Sequence, residues 1–168
     1  MKIVYIVPGT GGTFYCQNCV RDIELVRTLR SQGHDILMVP VYLPLLADAQ
    51  EISGDTPVFF GGINCYLQQK FPFFRHTPRW LDRIFDAAWM LRQAAKKEGS
   101  TEAAGLGPMT LSMLEGPDGN QEKELERMIT WLREQEKPDV IHLSNALLLG
   151  MARTLKDSLD APLFCSLQ

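Results

Sequence analysis

Residues 2–13 read KIVYIVPGTGGT, and this stretch decides the fold. Its first six residues, Lys2–Val7, are almost all β-branched or aromatic, which is typical of a strand buried on both faces. A glycine-rich turn follows the strand. Apolar residues then recur at helical spacing up to Gly33, namely Val20, Ile23, Val26 and Leu29. Because Asp35–Val41 is a second strand-like run, the sequence predicts a β-α-β unit with a right-handed crossover.

The rest of the chain continues this alternation after an irregular middle. In the middle we expect short strands at Pro57–Phe60 and Ile63–Leu67, an amphipathic helix from Pro78 to Leu91, and a loop of small residues from Gly99 through Gly107-Pro108. After it we expect a helix with Leu125, Met128, Ile129 and Leu132 on one face, a strand at Asp139–Leu143, a helix at Asn145–Leu159 and a strand at Pro162–Leu167. This order predicts an α/β fold with a Rossmann-like, doubly wound, mainly parallel sheet.

Length and charge limit the classes of function. The chain has 168 residues, 45% of them hydrophobic, which suits one domain over residues 1–168. Its 17 basic and 20 acidic residues give a net charge of −3, so nucleic acid is not an expected partner. The first apolar run is too short for a signal peptide, and no run is long enough for a membrane span, so we expect a cytoplasmic protein. Its four cysteines are expected to be reduced thiols.

The glycine turn is the first candidate binding site. Ligands of doubly wound sheets bind beyond the carboxyl ends of the strands, and this turn follows one of them. Its backbone amides suit an anion or the close approach of a sugar. A dinucleotide-binding fingerprint needs a glycine where this chain has Phe14, and the Gly-Lys-Ser/Thr of a nucleotide-binding P-loop is absent. The alternative interpretation is that these glycines only form a tight turn.

We expect the substrate-binding residues to belong to this turn and to the positions directly after the strand at Leu143. They are Gly9, Thr10, Gly11, Gly12, Thr13, Ser144 and Asn145. His142 lies near the carboxyl end of the same strand. It is interpreted either as a hydrogen-bonded core residue or as a catalytic group.

Cys16 and Cys19 stand at the predicted start of the first helix. A helix N-terminus lowers the pKa of a thiol, so a redox or metal role is one interpretation of the pair. A zinc site needs a second pair of ligands, yet the other cysteines and histidines are scattered singly along the chain. We therefore expect no metal site and interpret the pair as small residues that support the glycine turn.

Aromatic and basic residues are concentrated at Phe71–Arg75 and again at Arg79-Trp80. Such a patch on a connecting segment is typical of an acceptor lid or of a peripheral membrane contact. The alternative is that these aromatic rings pack beneath a long loop.

Several segments, in this order and spacing, resemble family 4 glycosyltransferases, the retaining glycogen-synthase and sucrose-synthase-like group. They are the strand with its Pro-Gly-Thr-Gly-Gly turn, the helix end LRSQGHD at residues 29–35, KPDVIH at 137–142 and APLFCSLQ at 161–168. The likeness covers nearly the whole chain. Residues 12–22 and 59–64, GTFYCQNCVRD and FFGGIN, are also similar to a bacterial subgroup of this family.

The resemblance implies one of the two domains of a GT-B fold. This chain would be the N-terminal, acceptor-side domain, and the second, donor-binding domain would be absent from it. The implied activity is transfer of a sugar from a nucleotide-sugar to an acceptor with retention and without a separate cofactor. The chain alone is then expected to be inactive. Family members commonly have histidines where this chain has Ser144 and Gln168, which leaves His142 and Gln168 as weak catalytic candidates.

Two other functions stay open at this point. The first is a non-catalytic Rossmann-like module that binds a small anion through the same glycine turn. The second is a metal or redox protein built on Cys16 and Cys19.

Overall fold

The computed structural model describes residues 1–9, 17–42, 56–57, 59–60, 65, 68–69, 71–76, 103–135 and 137–167. Its strands are β1 (Lys2–Val7), β2 (Asp35–Pro40), β3 (Val140–Leu143) and β4 (Leu163–Cys165). Its α-helices are α1 (Gln17–Ser31), α2 (Ala103–Glu115), α3 (Glu122–Glu134) and α4 (Ala152–Leu159). Shorter 3₁₀ helices span Pro72–His76, Gly116–Asp118 and Ala146–Met151.

In the described part of the chain, β1–β4 form one all-parallel sheet in the order β2-β1-β3-β4. β1 lies at the centre, with Lys2 opposite Asp35 of β2 and Ile3 opposite Val140 of β3. β4 pairs with the other edge of β3. The parallel strands and their intervening helices confirm the predicted α/β class.

Helices cover both faces of the sheet. Side chains alternate along a strand, so Ile3, Tyr5 and Val7 point to one face while Val4 and Ile6 point to the other. The first face packs on α1 through Ile23 and Val26. The second face packs on α3 and α4, which contribute Leu125, Met128, Ile129, Leu132, Leu155 and Leu159. Burial on both faces explains why β1 is an almost continuous apolar run.

The loop predicted from Gly99 through Gly107-Pro108 is wrong from Ala103 onward, because α2 begins there and contains both Gly107 and Pro108. Residues 99–102 lie outside the described residues. A proline in a helix interior costs about 3 kcal/mol, which is why the sequence favoured a break. Packing outweighs that cost: Met109 packs against the core, and α2 lies along the 3₁₀ helix Ala146–Met151. The helix predicted from Asn145 also differs in its first half, since it begins as this 3₁₀ helix and becomes α-helical at Ala152.

Two short strands predicted in the middle are not found at the described residues. Phe59 and Phe60 form a bend, and the φ angle of +57° at Phe60 is incompatible with an extended strand. Cys65 is helical, so the strand at Ile63–Leu67 is wrong at that residue. The last strand is shorter than predicted. The predicted helix from Pro78 to Leu91 lies outside the described residues.

The backbones of α2, of the 3₁₀ helix Gly116–Asp118 and of the 3₁₀ helix Ala146–Met151 come into close contact at glycines. A Cβ atom built on Gly150 would overlap the Met113 carbonyl oxygen and lie 2.6 Å from that of Leu114. One built on Gly116 would lie 2.6 Å from the Gly150 carbonyl carbon. A larger residue at Gly150 or Gly116 would therefore push α2 away from the body of the domain. None of the helices described here is both long enough and apolar enough to span a membrane.

Candidate functional site

The carboxyl edge of the sheet gathers the residues that follow the strands. Backbone hydrogen bonds continue the sheet register past the strand ends. Tyr42 N donates to Pro8 O at 3.0 Å, Ser144 N to Ile6 O at 3.0 Å, and Ser166 N to Leu143 O at 2.9 Å. The segments after β1, β2, β3 and β4 are thus held side by side. This is the edge at which the sequence placed the ligand site.

The glycine turn begins at this edge with Gly9. Gly9 is buried and has a φ of +90°, a conformation in which other residues are strained. Thr10, Gly11, Gly12 and Thr13 lie outside the described residues, so their predicted binding role stays a prediction. The turn is tied to α1, because the Cys19 thiol donates to the Gly9 carbonyl oxygen at 3.6 Å.

The contact between Cys19 and Gly9 is relevant to the interpretation of the pair Cys16 and Cys19. Cys19 is 7% exposed and its sulfur faces the backbone of the glycine turn, as a supporting residue would. Cys16 lies outside the described residues. Among the residues that the structure does describe, no group of three or more histidine, cysteine or acidic side chains is placed to hold a metal ion.

Ser144 and Asn145 follow β3 directly. Ser144 is 1% exposed and thus faces the interior. Asn145 accepts a hydrogen bond from Leu147 N at 3.0 Å through its side-chain oxygen, which caps the 3₁₀ helix Ala146–Met151. Asn145 is therefore the N-cap of the segment in which the sequence predicted a helix. That cap occupies one acceptor position of the Asn145 side chain.

His142 is half-buried in β3 and lies on the α1 side of the sheet. Its ring meets the ring of Tyr5 edge-on, with 4.7 Å between centroids. Its Nε2 atom is 2.9 Å from Ser166 Oγ, a hydrogen bond whose direction depends on the histidine tautomer. Burial is the largest influence on the pKa of His142 and lowers it, the Asp22 carboxylate raises it, and the Arg21 guanidinium lowers it. The ring is therefore neutral at pH 7. Gln168, the other catalytic candidate, lies outside the described residues.

The buried carboxylate of Asp22, on α1, holds the Tyr5 side chain that contacts His142. The Tyr5 hydroxyl donates to Asp22 Oδ1 at 3.0 Å, and Arg21 donates to the same oxygen at 2.7 Å. Asp22 is 2% exposed and Tyr5 is fully buried. Burial raises the pKa of Tyr5, and the nearby Asp22 charge raises it further. Arg21, Asp22, Tyr5, His142 and Ser166 thus form one polar network, which we call the His142 network.

We predict that the free energy of unfolding falls as the pH is lowered through about 6.5, the ordinary pKa of histidine. The folded chain holds the pKa of His142 below that value, so the unfolded chain takes up the proton first and is favoured. Above this range both states are neutral at His142 and its contribution is flat. Urea titrations between about pH 5 and pH 7.5 measure the effect, and the fall should be shallower in His142→Gln. An equal fall in both proteins would contradict this assignment.

Four members of the His142 network were not singled out from the sequence as site residues, namely Tyr5, Arg21, Asp22 and Ser166. A usable signal existed for two of them, Tyr5 and Asp22. Tyr5 is the one hydroxyl-bearing residue in a buried strand, and such a hydroxyl needs a partner. Asp22 directly precedes Ile23 of the buried helix stripe, within reach of that strand. No comparable signal pointed to Ser166, because its pairing with His142 depends on β3 and β4 being neighbours.

The aromatic segment forms the 3₁₀ helix Pro72–His76. Phe71 and Phe73 are 53% and 77% exposed, so these two rings do not pack beneath a loop. Arg75 points toward the preceding segment, because its Nε donates to the Gln68 carbonyl oxygen at 2.9 Å. The acceptor lid and the peripheral membrane contact both stay predictions for this segment.

Comparisons of the chain with protein-family models, with curated proteins and with solved structures find no match. The family resemblance therefore rests on the sequence segments, and the function that follows from it is a proposal.

Proposed function

We propose that the chain is the acceptor-side domain of a retaining glycosyltransferase of the GT-B type. In this proposal a nucleotide-sugar donor binds mainly to a second Rossmann-like domain, and the two substrates meet at the carboxyl edge described above. One observation supports it most. Three segments that carry the family resemblance are β1 with its glycine turn, β3 and β4, and these strands are direct neighbours in the sheet.

The chemistry of the edge suits a ligand rich in hydroxyl groups. Gly9 begins the glycine turn with a φ of +90°, and Ser166 is a half-buried hydroxyl held by His142. A serine hydroxyl has one donor and two acceptor positions, so its bond to His142 leaves capacity for a ligand. Neutral imidazole adds a group that accepts or donates a proton. His142 and Gln168 remain the catalytic candidates of this proposal.

Substitution of Gly11 tests this proposal. In the product of the complete reading frame, Gly11→Val should reduce release of nucleoside diphosphate from a panel of nucleotide-sugars by about 100-fold or more. A side chain in the turn blocks the approach of ligand to backbone, whereas the melting temperature should change by only a few degrees. Gly107→Val is the matched control, because a Cβ atom at Gly107 meets nothing within 4 Å.

The outcomes separate the competing functions. No turnover of any nucleotide-sugar by the parent protein would overturn the transferase. Binding of small anions without turnover, abolished by Gly11→Val, would instead support the non-catalytic module. Equal losses of activity and melting temperature in Gly11→Val would show that the glycines only form a turn.

A further inference from the structure

A buried amide stands at the start of α3. Gln121 directly precedes this helix and is 2% exposed. Neither its side-chain nitrogen nor its side-chain oxygen has a hydrogen-bond partner in the described part of the chain. The helix start does not use the amide, since Glu124 N and Leu125 N both donate to the backbone oxygen of Gln121. Each buried polar atom without a partner costs about 1–3 kcal/mol, so a further group is required here.

The amide lines a small cavity between α2, α3 and the segment after β2. The cavity has a volume of about 10 Å³, which matches the space that one water molecule needs. Gln121 shares this lining with the polar residues Tyr42 and Ser112 and with the apolar residues Phe60, Leu125 and Met151.

The chemistry of the lining favours a neutral group that both donates and accepts. The Gln121 amide offers donors on its nitrogen and acceptor positions on its oxygen. A cation would satisfy only the oxygen, and an anion only the nitrogen. Among the described residues that line the cavity, none has a charged side chain to compensate an ion. Burial raises the pKa of Tyr42, so its phenol stays protonated and neutral.

Ser112 also has capacity for another bond. Its Oγ accepts from Asn120 N at 2.7 Å, which leaves its own proton to donate. Gln121, Ser112 and Tyr42 therefore supply the two to four polar partners that an internal water needs.

We propose that this cavity is an internal hydration site, in which one water molecule bridges the Gln121 amide to Ser112 and Tyr42. The water links α2 and α3 to the segment that follows β2. Tyr42 N is bonded to Pro8 O, so this bridge lies beside the same edge of the sheet as the His142 network. It lies on the opposite face, because Leu125 and Met151 of its lining belong to the core on the α3 and α4 side, whereas Tyr5 belongs to the core on the α1 side. The proposal does not depend on the transferase function.

Oxygen-17 magnetic relaxation dispersion on the 168-residue chain tests this directly, because its amplitude counts long-lived internal water molecules. Gln121→Leu should lower the amplitude by about one water molecule, since leucine fills the space and offers no hydrogen bond. Gln32→Leu is the matched control, because Gln32 is exposed, and it should leave the amplitude unchanged.

Equal amplitudes in the parent and Gln121→Leu would overturn the proposal. If Gln121→Leu does not fold, a high-resolution crystal structure of the parent decides. Water density within hydrogen-bond distance of the Gln121 amide would support the site. An amide bonded only to protein atoms, or density for an ion in the cavity, would refute it.

Discussion

Replacing Gly150 with alanine is expected to lower the free energy of unfolding by about 3 kcal/mol or more. The added methyl group overlaps the carbonyl oxygen of Met113 and comes within 2.6 Å of that of Leu114. Both neighbours are backbone atoms of α2, so no side chain can rotate away to make room. Relief requires α2 to shift from the 3₁₀ helix Ala146–Met151. Urea unfolding followed by circular dichroism measures the loss.

Gly107→Ala, a substitution in α2 itself, is expected to have the opposite effect on stability. A Cβ atom at Gly107 meets nothing within 4 Å, and Gly107 is exposed in α2. Alanine lowers the entropy of the unfolded chain there and should stabilise the domain by about 0.5–1 kcal/mol. A Gly150→Ala protein that unfolds at the same urea concentration as the parent would show that α2 does not pack as described.

The elements that could be predicted are those whose burial is local in the sequence. Lys2–Val7 and Asp139–Leu143 are apolar runs bounded by turn residues, and α3 has a single apolar face. The strand runs are recognised by their short length, β-branched residues and flanking turn residues, whereas α3 is recognised by the helical period of its apolar positions. The order of these elements also predicted a parallel sheet, because alternating strands and helices leave few other topologies.

The parts that could not be predicted depend on contacts between distant segments. Pro108 and Gly107 discourage a helix locally, yet α2 forms because it packs against residues some forty positions later. The His142–Ser166 bond depends on which strand lies beside β3, which the sequence pattern does not specify. The Gln121 cavity is formed by four separate segments. Such sites arise from tertiary packing, which cannot be inferred from the periodicity of a single sequence.

Asp22→Ala is the second substitution with a large expected effect, a loss of about 2–4 kcal/mol of unfolding free energy. The carboxylate is 2% exposed and accepts the Tyr5 hydroxyl, so its removal leaves a buried phenol without its acceptor. The Arg21 contact contributes less, because that side chain is half-exposed and water replaces the lost partner. Asp35→Ala is the control: its carboxylate is exposed and 3.8 Å from Lys2, and the loss should stay below about 0.5 kcal/mol.

Two further variants separate the hydrogen bond from the charge. Asp22→Asn keeps a side-chain oxygen for the Tyr5 hydroxyl and should lose less stability than Asp22→Ala. Tyr5→Phe removes the donor instead, and in combination with Asp22→Ala it completes a double-mutant cycle. Because the two groups bond directly, the cycle should give a coupling energy of about 1–2 kcal/mol. Additive losses would mean that Asp22 stabilises the domain through Arg21 or through packing, and that Tyr5 is not held by it. The pKa of His142, followed by NMR, tests whether the Asp22 carboxylate acts on the imidazole, because loss of its negative charge removes an influence that favours the protonated ring. We therefore expect the His142 pKa to fall in Asp22→Asn, and a rise there would show that the carboxylate and the imidazole do not share one network.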